Sequence, residues 1–326
     1  MSDSSDASSK PSVPPDGSSD PSPEQFVPPD GTNPSRFRRA LVPAGIALLV
    51  TAFVAALVAA GWGLYISERT DRQRQTMVGE EPTAAGLDLY VTAQRVDTDN
   101  RQLVLSVLPV PKGSLAGPGH KLAQDMQIRT SSLAVQSIHL AKGAVPAPQQ
   151  IPVPLNGGAV SDYPRDHYWA GIYWIAMTSD GAFVDARMIF NGADPFFTVR
   201  PVLDVGTVLA LSIGVAALDV EISRSHSTLA LAGFLALAMW TLALAVLSGA
   251  VVLVRQRQRI VWPAMGWMAA TLFAIVGLRS AAPGSPPIGS LLDYTAFFWS
   301  EAIITVSVAC VTVSGVRAEG RLSTRT

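Results

Sequence analysis

The chain has 326 residues, of which 48% are apolar and only 15% charged, well below the roughly 25% of soluble domains. The apolar residues are gathered into long runs, so the composition points to one ordinary domain plus several membrane spans. A net charge of −1, with no long basic patch away from those runs, excludes a nucleic-acid partner, and the single cysteine, Cys310, excludes an intrachain disulfide and any multi-cysteine metal site.

Residues 1–36 are rich in Ser, Pro, Asp and Gly and are expected to be a disordered cytoplasmic tail, because they cannot bury enough apolar surface to offset their ordering entropy. The motif Val13–Gly17 recurs as Val27–Gly31, a proline-containing repeat that reads either as a docking site for a cytoplasmic partner or as plain turn-rich tail. Residues 40–66 form a charge-free apolar run, longer than the ~20 residues a span needs, preceded by Arg36, Arg38 and Arg39. It is expected to be an uncleaved signal anchor and the first transmembrane helix. Its rows of small residues, Ala52, Ala56, Ala60 and Ala55, Ala59, Gly63, suit close helix packing.

Residues 67–85 read as a polar linker. From 86 to 225 the pattern is β: Leu87, Leu89, Val91 and Ala93 alternate with polar neighbours, Asp97–Asn100 makes a turn, and Leu103–Leu108 returns. Further strands are expected at 133–140, 151–155, 167–177, 183–190, 207–213 and 216–222, between Gly and Pro clusters. Three more spans follow, at 229–254, 260–278 and 294–316, with a Pro/Gly turn at 279–293 between the last two and a short tail at 317–326. The fold class is therefore an extracytoplasmic antiparallel β-sandwich between a first transmembrane helix and a C-terminal three-helix transmembrane bundle.

The arginines flanking the first span balance, so the topology is decided by Arg255, Arg257 and Arg259 between the second and third spans and by Arg317, Arg321 and Arg325 after the fourth. The bias of arginine toward the cytoplasmic side then places both termini inside and the β domain outside the plasma membrane.

Glu301 lies about two turns into the fourth span, where an ionisable group is costly and needs a partner, a cavity or a relay. Arg279, at the outer end of the third span, is the expected partner, and the two form either a structural ion pair or part of an ion path. The cluster Tyr163-Pro164-Arg165-Asp166-His167-Tyr168 is the densest polar-aromatic stretch of the domain, expected as a turn capped by Asp166. The loop Ala281–Tyr294 is expected either to touch the β domain or to lie among lipid headgroups. Glu301, Arg279, Asp293, Tyr163, Pro164 and Asp166 are thus the candidate structural or coupling residues. No histidine spacing, phosphate-cradling loop or nucleophile elbow is present, so no catalytic, metal or cofactor site is expected.

Tyr163–Tyr168, Glu221–Thr228 entering a span, the Pro283-Gly284-Ser285-Pro286-Pro287-Ile288-Gly289 turn, and Asp293-Tyr294 with Phe297–Glu301 together resemble the family called domain of unknown function 4436, uncharacterised membrane proteins of mycobacteria and related actinobacteria. The resemblance runs from about residue 45 to 316. It implies this order of parts and a membrane location, and no activity. The expected role is a non-enzymatic envelope protein whose outer β domain binds an envelope protein or a cell-wall component. The alternative is a homo-oligomeric channel- or transporter-like protein in which that domain gates the bundle. Its one certain environment on this reading is the lipid bilayer.

Overall fold

The computed structural model describes residues 34–82, 84–202, 215–256 and 261–323. The tail before residue 34, the expected strand at 207–213, and Arg257 and Arg259 of the basic loop lie outside them. The chain divides into two compact units, Met1–Val58 and Ala59–Thr326. Helix α1, Pro34–Gln73, begins in the first and ends in the second.

The second unit departs from expectation at its start. Helix α1 persists past Ile66 to Gln73, through residues expected to be linker. An i,i+4 ion pair between Glu68 and Arg72 (3.2 Å) favours helix there, and no Gly or Pro intervenes before Gly79. Strand β1 (Thr76–Val78) follows at once, then β2 (Ala85–Asp97) and β3 (Gln102–Gly113). The β2–β3 turn closes with the Asn100 N–H donating to Asp97 Oδ1 (3.0 Å), as the Asp-Thr-Asp-Asn cluster predicts. Along β3 every second residue is buried, the pattern of a strand with one face in a core.

Strands β4 (Met126–Thr130), β5 (Ser137–Leu140), β6 (Gln149–Pro154), β7 (His167–Thr178), β8 (Phe183–Gly192), β9 (Phe197–Val202) and β10 (Ala216–Arg224) complete the domain. Among the described residues the ten strands form one connected sheet, a half-barrel with the path β5-β4-β7-β8-β2-β3-β6; β1 pairs β8, and β10 lies between β7 and β9. The expectation of a purely antiparallel domain is corrected here. β8 lies parallel to β2, from Gly86 opposite Asp185 to Ala93 opposite Gly192. Parallel neighbours need a long crossover, and β3 through β7 supply it; local alternation in sequence carries no trace of such a distant pairing. Trp174, Tyr168, Phe190, Leu87 and Leu89 are fully buried in the core, each contributing about 1.5–3 kcal/mol relative to exposure.

Helix α2 (His226–Arg255) starts one residue after the β domain ends and is capped by Ser225, whose side chain accepts from the Thr228 N–H. Helix α3 (Trp262–Ser280) carries Pro263 in its first turn, where the missing N–H costs nothing. A π turn over Asp293–Phe297 leads into helix α4 (Phe298–Ser323). The three helices pack through a narrow stripe that includes Ala232, Leu235, Met239, Ala243 and Val246 of α2, Met268 and Ile275 of α3, and Ile304 and Val311 of α4. Their other faces leave Phe234, Leu237, Phe273, Trp299 and Val306 exposed. Among the described residues two helical stretches, His226–Arg255 and Asp293–Gly320, are long and apolar enough to cross a membrane, with only 22% and 28% of their most apolar windows buried.

Candidate functional site

Tyr163, Pro164, Asp166, Arg279 and Asp293 converge on one place, the junction between the half-barrel and helices α2–α4. It is built from strand register. β10 pairs antiparallel with β7, placing Ser223 opposite His167, so Arg224 at the end of β10 falls beside Asp166 just before β7. The Arg224 Nε donates to both Asp166 carboxylate oxygens (2.9 and 3.1 Å) and its Nη2 to Oδ2 (3.0 Å), while Tyr168 OH donates to Oδ2 (3.1 Å). Both charged side chains are sealed from solvent, at 1% and 0% exposure. A pair this deep is stable only because three charge-assisted hydrogen bonds offset desolvation. The guanidinium also stacks 4.0 Å from the Phe197 ring and 4.9 Å from the Tyr163 ring.

Tyr163 belongs to the β half of the chain, yet its side chain is buried in the apolar cluster of the helices. It follows a single 3₁₀ turn (Val160–Asp162) and is joined to Pro164 by a cis peptide. Burial pushes its hydroxyl up to about 12, with the Arg224 charge opposing. Burial likewise raises Tyr168, helped by the negative Asp166. The Tyr163 hydroxyl and Arg224 Nη1 are both buried and make no hydrogen bond among the described residues.

The α3–α4 turn reaches the same spot. A Cβ added to Gly284 would stand 2.5 Å from Arg224 Nη1, and Gly284 has φ +75°, so both space and backbone call for glycine. The turn is wound around a second pair. Arg279 Nε and Nη2 donate to Asp293 Oδ1 and Oδ2 (2.9 Å each), and its remaining donors reach the Pro286 and Pro287 carbonyls (3.1 and 2.9 Å). Asp293 Oδ2 also accepts from the Gly289 and Ser290 N–H groups (2.8 and 3.1 Å). On the opposite side of the junction, Glu68 of α1 accepts from the Ser227 N–H and hydroxyl, and Arg72 donates to the Pro195 carbonyl (3.0 Å).

The expected Arg279–Glu301 pair is therefore not formed. Asp293 lies across the turn from Arg279, whereas Glu301 is eight residues further on, about 12 Å along the helix axis. Glu301 Oε2 is buried and, with the neighbouring Ser300 Oγ, makes no hydrogen bond among the described residues. Trp240 Nε1 donates to the Thr295 carbonyl within the π turn (3.1 Å), fixing α2 to the start of α4. Arg255 ends α2, far from the junction in sequence. Arg224, Glu68 and Gly284 were not singled out as site residues by sequence reasoning. The signal for Arg224 was its place at the end of an alternating apolar strand one residue before a helix cap. Among the described residues no group of three or more His, Cys, Asp or Glu is arranged to hold a metal.

The geometry defines a β domain docked on apolar helices through Tyr163 and through Gly284 against Arg224, with one buried Arg–Asp fork bracing the β domain and another bracing the α3–α4 turn. Residues 77–217 match the family model described as Domain of unknown function (DUF4436), the family that the sequence resembles. Residues 224–318 match a second model, Domain of unknown function (DUF8686). The resemblance expected to run to residue 316 thus divides between two families. Asp166 lies in the first match and Arg224 is the first residue of the second, so their ion pair bridges the two. No curated protein matches the chain.

Proposed function

We propose that this chain is an integral membrane protein of the cell envelope. It holds its β domain on the outer side of the plasma membrane as a non-enzymatic module for binding an envelope protein or a cell-wall component. The observation that carries this reading is the junction: Tyr163 is buried in the apolar cluster of the helices and Gly284 of the α3–α4 turn packs on Arg224, while the other helix faces are apolar and exposed. A flexible tether would serve an anchor alone; a locked junction fixes the domain's orientation to the membrane plane. The arginine bias supports four spans with both termini cytoplasmic, through Arg255, Arg257 and Arg259 in one loop and Arg317, Arg321 and Arg325 after the last helix. Photo-crosslinking from exposed β-domain positions in intact cells, with identification of the captured species, tests the role. Reproducible capture of one envelope component supports it, and only random neighbours across many positions would count against it.

A second reading rests on Glu301, whose Oε2 is buried without a partner in an apolar helix. Several copies of the chain would then assemble a path for ions, with the β domain coupled to it through the junction. Ion flux in liposomes that is lost in Glu301→Gln would favour this reading; equal flux with and without protein would remove it.

A further inference from the structure

A cleft of about 360 Å³ opens between strand edges β1 and β9, where α1 runs into the β domain and α2 leaves it. Its size is that of a small-molecule site. Both strands are edges among the described residues, since β1 pairs only β8 and β9 only β10. An added peptide strand is nevertheless a poor occupant. β1 is three residues long, and Pro201 within β9 has no N–H to offer a ladder.

The charges at the rim point to an anion. Glu68 and Arg72 are committed to each other, to Ser227 and to the Pro195 carbonyl. Arg74 makes only a surface pair with Asp71, its side chain 75% exposed; such a pair contributes at most about 1 kcal/mol and exchanges readily. Arg200 is exposed and makes no ion pair among the described residues, although Glu221 stands opposite it in the β9–β10 ladder. His226 is exposed at the first residue of α2, and Thr76 and Thr198 add hydroxyls. Among the lining residues described, this leaves Arg200 as an unpaired cation and no acid unpaired.

We propose that this cleft binds a net-anionic phosphate ester, with Arg200 and Arg74 donating to its oxygens. α2 starts at the rim, and its exposed apolar residues Leu231, Phe234 and Leu237 follow within three turns. If α2 crosses the bilayer, the cleft lies at headgroup level and the ester is that of an anionic phospholipid. The lipid source rests on the membrane reading above; the phosphate chemistry does not.

The test uses the full chain in nanodiscs of phosphatidylcholine, with or without a minor fraction of phosphatidylglycerol, and inorganic phosphate as a separate titrant. Lipids retained are counted by native mass spectrometry, and phosphate binding is read as a shift in melting temperature. The wild type should retain phosphatidylglycerol over phosphatidylcholine, and Arg200→Glu should lower that preference about tenfold, the effect of losing one charge-assisted contact. Arg200→Lys should keep part of it. A phosphate response that Arg200→Glu abolishes, without lipid preference, keeps the site and assigns it to a soluble ester. Equal lipid retention and equal phosphate response in wild type and Arg200→Glu would overturn the proposal. Arg74→Glu gives the same reading should Arg200→Glu fail to fold.

Discussion

Replacing Asp166 by Asn keeps the shape of the side chain and removes its charge. Arg224 would then be a cation at 1% exposure with no counter-charge, its Nη1 already lacking a hydrogen bond among the described residues. Breaking a buried pair on one side costs about 3–5 kcal/mol. For a cooperative unit of 150–250 residues each kcal/mol lowers the melting temperature by about 2–4 °C, so Asp166→Asn should melt roughly 6–20 °C below wild type. Tryptophan fluorescence of the purified chain reports this directly, since Trp174 is in the β core and Trp240 in the helices. The double variant Asp166→Leu, Arg224→Met removes both charges and should be more stable than either single variant, because no unpaired ion remains. A single variant that melts like wild type, or a double that is worse than both singles, would refute the assignment of this pair as a buried brace of the β domain at the junction.

Tyr163→Phe removes a buried hydroxyl that has no partner among the described residues, so stability at neutral pH should be unchanged or higher; a loss beyond about 1 kcal/mol would show that the hydroxyl makes a needed contact. In the wild type the Tyr163 hydroxyl is held up to about 12 by burial, against 10 for the model phenol. The stability from this neutral phenol is present below pH 10 and is lost as pH rises through 12, at up to about 1.4 kcal/mol per pH unit. Tyr163→Phe should flatten that part of the profile, and an unaltered slope in denaturant titrations would assign it elsewhere. Gly284→Ala meets both a positive φ and the Arg224 guanidinium; a cost of about 1–3 kcal/mol is expected in thermal unfolding, and wild-type stability would contradict the docking of the turn on Arg224. Arg279→Met strands the buried Asp293 carboxylate and releases the Pro286 and Pro287 carbonyls. Limited proteolysis should then cut at 281–289 faster than in wild type, and an unchanged rate would show that other contacts hold the turn.

The strands legible in the sequence were β2, β3, β6, β7, β8 and β10, and the end of the stretch expected at 133–140 forms β5. β1 is too short to show a period, β4 is five residues between irregular segments, and the Pro201 of β9 argues against a strand unless it is an edge. The parallel pairing of β2 with β8 had no local signature at all. The expected pairing of Arg279 with Glu301 is not formed. Tyr163, Asp166, Arg279 and Asp293 do meet at one junction, because the sequence concentrates aromatics and charges where a domain must join a bundle. Yet the partner of Asp166 is Arg224, 58 residues away and placed by strand register. Arg279 takes Asp293 instead of Glu301 because the turn's proline and glycine residues fold it back by a fixed amount that residue spacing does not reveal.

The side of the membrane on which the β domain lies decides the proposed function. In a Cys310→Ser background, Lys142→Cys places one thiol on an exposed loop of that domain. A membrane-impermeant maleimide should label it in intact cells at the same rate as in permeabilised ones. Labelling only after permeabilisation would put the domain on the cytoplasmic side and contradict the account.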